Sequence, residues 1–206
     1  MKKMWLIPVA VCSLLSVPET MYGQSLKDIL NSSAVKNAVT SVTGGKKLSV
    51  ESIQGTWTYV HPAVQLEGDN ALKNIAGSVA ASEIEKKMKS YCAKVGIVEG
   101  MFRYTFNSDS TFTNVLKKKT LKGTYSLDAE EGTVVLQYGL GGKWKVMTLT
   151  ARVVLSGNQL SLLFNADKLL DFLSKVSSVS NNATLKTINS LASQYDGIML
   201  GFDLEK

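Results

Sequence analysis

The sequence predicts a mainly β chain with helical insertions, built as an eight-stranded antiparallel up-and-down barrel. Residues 101–138 hold four short period-two stretches in unbroken succession, separated by three tight turns, which is a meander. One stretch of the same kind precedes it and three follow. Helical periodicity replaces the strand pattern only after the first and the seventh strand. Strands in this number can close without a free edge and enclose room for side chains or one small ligand. A two-sheet sandwich has the same turn spacing and stands as the alternative.

The first residues are set apart from this pattern. Lys2 and Lys3 precede an apolar tract, residues 4–17, and small or polar residues follow to Gln24, the layout of a secretory signal with cleavage near Gly23. The domain reading is therefore a signal peptide over 1–23 and a barrel domain over 24–206, with helical insertions at about 69–95 and 166–195. The tract is too short, and too broken by Pro8 and Pro18, to span a bilayer. The expected location is periplasmic or extracellular, and the chain is not expected to be an integral membrane protein. Cys12 lies mid-tract behind Val11 and not behind a small residue, which argues against lipoprotein anchoring. Cys92 is then the one cysteine left, so no intramolecular disulfide forms and Cys92 reads as a small core hydrophobe.

The net charge of +6 falls to +5 once Lys2, Lys3 and Glu19 are removed, a mild basic excess. Its one run, Lys117-Lys118-Lys119, sits at a strand end, where lysines blunt an edge. Nucleic-acid binding needs basic residues interleaved with aromatic ones over a longer stretch, so no nucleic-acid partner is expected.

Taken in order, residues 25–42 have diluted helical spacing, ended by Gly44-Gly45. Residues 53–60 form the first strand, with Ile53, Gly55, Trp57 and Tyr59 on one face and Pro62 preventing simple continuation. Across 69–95 one apolar stripe runs through Leu72, Ile75, Ala76 and Val79 and another through Ile84, Met88, Tyr91, Cys92 and Val95. Ser82-Glu83-Ile84-Glu85 between them fits a capping box and predicts two helices meeting in a corner. Glu83, Glu85, Lys86, Lys87 and Lys89 form the solvated face.

In the meander, Phe102, Tyr104 and Phe106 face inward, then Phe112, Asn114 and Leu116, then Leu121, Tyr125 and Leu127, then Val134, Leu136 and Tyr138. Gly123 interrupts the third set and marks a bend or a close approach of backbones. Gly139 to Gly142 reads as a hairpin connection, followed by strands over 145–155 and 160–164. Leu169, Leu170, Phe172, Leu173 and Val176 give one helix of the second insertion its apolar face. Leu185, Ile188, Leu191 and Tyr195 give the next, after a break at Asn181-Asn182. Ile198, Leu200, Phe202 and Leu204 form the last strand.

Gly55-Thr56-Trp57, after a short helix and at the start of the strands, resembles the Gly-X-Trp signature of the lipocalins and wider calycins. Phe106 with Asp109-Ser110-Thr111-Phe112-Thr113, and then Gly123-Thr124-Tyr125-Ser126-Leu127, resemble lipocalin-like secreted domains of unknown function common in Bacteroidetes. The insertion beginning near Pro62-Ala63-Val64 is similar to one such family, and the resemblance covers residues 24–206. The chain has no Thr-Asp-Tyr turn motif and no arginine near the final strand to stack on Trp57, which indicates distant calycin kinship. The resemblance implies a lipocalin-like barrel able to hold a hydrophobic or amphipathic small molecule.

The residue inventory argues against an enzyme. His61 is the one histidine and stands before Pro62 at a strand end. No His or Cys pair has metal-ligand spacing, and neither a Gly-X-Ser-X-Gly elbow nor a phosphate-cradling loop is present, so no catalytic residue, metal or cofactor is expected. Asp109 and Glu99 are carboxylates that nothing in the sequence brings together. A binding reading assigns Trp57, Tyr59, Phe102, Tyr104, Phe112, Asn114, Tyr125 and Tyr138 to the lining of an apolar cavity. Asn114 is the diagnostic member, because an amide on an apolar face needs a partner that a ligand or water could supply. Two functions stay open: an exported carrier of a small lipophilic ligand, and an envelope module with a filled barrel whose helices dock on a partner protein. Exposure of Phe172, Leu169 and Leu173 would favour the second.

Overall fold

A computed structural model of the chain describes residues 48–67, 79–139, 147–179, 182–192 and 197–206. The expected leader, the expected helix at 25–42 with its Gly44-Gly45 stop, the stripe over 72–76 and the expected connection at 139–142 beyond Gly139 lie outside the described residues. So does Tyr195.

Eight antiparallel strands close into one barrel, each paired with the next and the last with the first. They are β1 (Gly55–Glu67), β2 (Arg103–Phe106), β3 (Thr111–Leu116), β4 (Lys119–Asp128), β5 (Thr133–Tyr138), β6 (Met147–Ser156), β7 (Gln159–Asn165) and β8 (Gly197–Glu205). The β1–β8 pairing excludes the sandwich. Inward positions carry the large apolar side chains and outward ones read Thr105, Thr113, Lys122, Thr148, Thr150 and Arg152. That is the reverse of a barrel whose outer face meets lipid. Among the described residues no helix is long and apolar enough to cross a membrane.

The described helices are α1 (Val50–Ile53), α2 (Val79–Val95), α3 (Ala166–Ser177) and α4 (Asn182–Ala192). Ile53 therefore ends a helix and does not open the first strand. Ser49 and Ser52 cap that helix reciprocally, the Ser52 amide donating to Ser49 Oγ at 3.2 Å and the Ser49 amide to Ser52 Oγ at 2.9 Å. Gly55 then turns the chain into β1 with φ of 104°, a conformation that side chains resist.

Pro62 does not stop β1, which continues to Glu67. The cause is a bulge: Tyr59 pairs with Leu204 and His61 with Asp203, so Val60 is the extra residue. The bulge inverts the alternation and brings Pro62 inward opposite Phe202 while His61 faces out. β2 pairs with β1 only over Gly55–Thr58, so the later part of β1 has an edge on which a proline is tolerated.

Ser82 caps nothing, because α2 already runs through it from Val79. One continuous helix buries Ile84, Met88, Tyr91, Cys92 and Val95 and packs on β1. Glu83, Glu85, Lys86, Lys87 and Lys89 are exposed as expected. Helix α3 buries Leu169, Leu170, Phe172, Leu173 and Val176 against β6, β7 and β8, so the face offered for docking is already covered. Ile188 of α4 is buried as well.

Gly123 is a close approach. A Cβ there would lie 2.1 Å from the Gln137 carbonyl oxygen and 2.6 Å from the Phe112 ring. The oxygen belongs to the backbone of the neighbouring strand and cannot yield without moving β5. Gly123→Ala is therefore expected to destabilise the fold by about 1–3 kcal/mol, read as a lower denaturation midpoint in urea. An unchanged midpoint would show that the two strands have slack.

Candidate binding site in the barrel interior

The alternation of β2 sends Phe102, Tyr104 and Phe106 into the barrel, and their rings begin a continuous series. Phe102 meets Tyr59 edge-on at 6.0 Å and Tyr104 at 5.4 Å, and Tyr104 stacks on Phe106 at 5.9 Å. Phe106 meets Tyr125 at 5.1 Å, and Phe112 meets Tyr138 edge-on at 4.9 Å. Tyr138 touches Phe172 of α3 at 4.5 Å, which ties the helix to the strands. Such ring pairs add about 0.5–1.5 kcal/mol each beyond the burial of their area. None of the eight candidate residues is more than 4% exposed.

Six of the eight fall into this cluster: Tyr59, Phe102, Tyr104, Phe112, Tyr125 and Tyr138. Asn114 shares the interior face opposite Tyr104, and its amide donates to the Arg103 carbonyl at 3.2 Å. Its partner is thus the adjacent strand. Trp57 stands at the α1 end, where Nε1 donates to the Ile53 carbonyl at 2.7 Å. The Lys206 ammonium lies 4.4 Å from the Trp57 ring centre, a cation–π contact. The sequence has no arginine near the final strand, but the lysine directly after it supplies the cation. Phe202 and Phe172 also belong to the ring series and were legible only as members of apolar faces.

The remaining polar atoms find partners inside the protein. The Tyr104 and Tyr138 hydroxyls bond each other at 3.0 Å, and the Tyr125 hydroxyl donates to the Asn107 carbonyl at 2.7 Å. Burial holds the phenols of Tyr104 and Tyr138 well above their ordinary range, so both stay neutral. The Tyr59 hydroxyl bonds Cys92, whose thiol is pushed up to about 12 by burial and is therefore inert as a nucleophile. Tyr91 is the exception: its buried hydroxyl has no hydrogen-bond partner among the described residues.

Nothing in this arrangement resembles a catalytic relay. His61 Nδ1 lies 3.2 Å from Asp203 Oδ2 and 3.1 Å from the Pro62 carbonyl, while Ser161 donates to the other Asp203 oxygen. The carboxylate thus separates serine from histidine. Asp109 accepts from Thr111 in the β2–β3 turn, and Glu99 precedes β2, so these two carboxylates flank opposite ends of that strand. Among the described residues no three His, Cys, Asp or Glu side chains are grouped to hold a metal ion.

A family model described as a lipocalin-like domain, DUF4923, matches residues 26–206. The chain belongs to this lipocalin-like family. The crystal structure of a DUF4847 family protein from Bacteroides vulgatus is similar to this DUF4923 member at 17% identity and a TM-score of 0.38, covering 75% of this chain and 96% of that one. No curated protein matches the chain.

The Tyr104–Tyr138 pair gives a sharp energetic test. Tyr104→Phe or Tyr138→Phe alone leaves one buried hydroxyl unpaired and is expected to cost about 1–3 kcal/mol. The double variant, which removes both hydroxyls, should recover most of that loss in a thermal or urea double-mutant cycle. Additive costs would mean that each hydroxyl has a separate partner.

Proposed function

We propose that this lipocalin-like domain is an exported, non-catalytic envelope protein whose barrel is a filled scaffold and whose work is done by its outer surface. The observation that carries this reading is the packing of the candidate lining. Tyr59, Phe102, Tyr104, Phe112, Tyr125 and Tyr138 touch other rings at 4.5–6.3 Å, and the polar atoms of Trp57, Tyr104, Asn114, Tyr125 and Tyr138 bond to the protein itself. A ligand seated among these rings would have to displace contacts already made. It would gain little from hydrogen bonding, since the groups that would orient it are satisfied. Phe172 of α3 adds a further ring against Tyr138. Export rests on Lys2-Lys3 and the apolar tract behind them.

Native mass spectrometry of the protein purified from its own host separates this from the carrier reading. The expected spectrum shows the unliganded mass, and solvent extraction releases no small molecule in proportion to protein. A lipophilic molecule at about one per chain, lost in a folded Phe112→Ala variant, would overturn the filled-barrel reading and establish carriage.

A further inference from the structure

We propose that the rim formed by the α2–β2 turn and the β3–β4 turn docks on an anionic lipid surface. This goes beyond the reading above and does not depend on whether the barrel is filled.

The first observation is apolar. Among the described residues the exposed large hydrophobic side chains are Val98, 43% exposed, and Met101, 57% exposed. Both sit in one turn, and that turn is firmly held. The Met101 and Phe102 amides donate to the Val98 carbonyl at 3.0 and 3.1 Å, and the Gly100 amide donates to the Tyr59 carbonyl at 3.2 Å. Ile97 and Phe102 on either side are buried. The two side chains therefore project from a built platform anchored in the core.

The second observation is charge. The Lys117 side chain crosses Gly96, and its Nζ donates to the Lys94 carbonyl at 3.2 Å, which brings the β3–β4 turn against the end of α2. Arg103 follows Met101 by two residues and pairs with Val115, two residues before the lysine run. Lys94, Arg103, Lys117, Lys118, Lys119 and Lys122 are all exposed. Residues 94–125 thus hold six cations against two carboxylates, Glu99 and Asp109, and Asp109 lies at the opposite end of β2.

Lys119 Nζ donates to the Val176 carbonyl at 2.9 Å. The aliphatic tips beside this cluster of cations match the two parts of a membrane interface. Methylene and methyl groups enter the acyl boundary while ammonium groups meet phosphate. A nucleic-acid site would present aromatic stacking surfaces, and the exposed large side chains here are valine and methionine.

Co-sedimentation of the protein with lipid vesicles tests this. Vesicles containing phosphatidylglycerol should pellet the protein, phosphatidylcholine vesicles should not, and added salt should weaken the binding. Lys118→Glu/Lys122→Glu should reduce binding to the anionic vesicles roughly tenfold or more. Val98→Ser/Met101→Ser should also reduce it while the remaining binding keeps its salt dependence. All four positions are exposed, and an unchanged thermal midpoint confirms that the variants fold. Equal binding to neutral vesicles, binding unmoved by the charge reversal, or preference for a DNA or RNA oligomer over vesicles would overturn the proposal.

Discussion

The interior depends on the crowding of rings around a position with no side chain. Gly123 pairs with Phe112 on one side and Tyr138 on the other, so the two rings meet across it edge-to-face at 4.9 Å. Tyr138 then reaches the Tyr104 hydroxyl from β2 and the Phe172 ring from α3. One glycine thereby lets three strands and a helix share a single aromatic contact set. Cross-strand aromatic packing over a glycine also pins register, because a shift of one residue would turn the inward rings to solvent.

Burying rings in a barrel this way constrains its polar atoms. Tyrosine and tryptophan bring area together with a donor that must be satisfied once buried. Here the donors are met by backbone carbonyls at Ile53 and Asn107 and by the pairing of two phenols. The same burial keeps those phenols and the Cys92 thiol protonated. The inner face of the barrel is thus lined by buried rings whose phenols stay neutral, and the outer face is threonine-rich and charged.

The strands of the meander were legible in the sequence because each has a clean period of two with polar turns between. The inward set from Phe102 to Tyr138 follows directly from that period; Gly123 was legible as a bend or a close approach, and the structure shows the close approach. The early end expected for β1 has one cause: sequence carries no marker for a bulge at Val60, and without it Pro62 looks like a terminator. Ser82 misled for a different reason. A serine followed by a glutamate three residues on fits a capping box, but the packing of Ile84 and Met88 on the core holds the helix continuous through it. Of the candidate site, the identity and facing of the residues were legible. Whether rings touch each other or a ligand was not, since that depends on the barrel's bore and on which helix covers it.

The central claim is that the rings leave no ligand-sized void between them. Xenon enters dry apolar cavities and is heavy enough to be located directly, so diffraction from crystals pressurised with xenon tests this without assuming any natural ligand. The account predicts no xenon site among Phe102, Tyr104, Phe112 and Tyr138. An occupied site bounded by those rings would contradict it and return the barrel to the class of carriers.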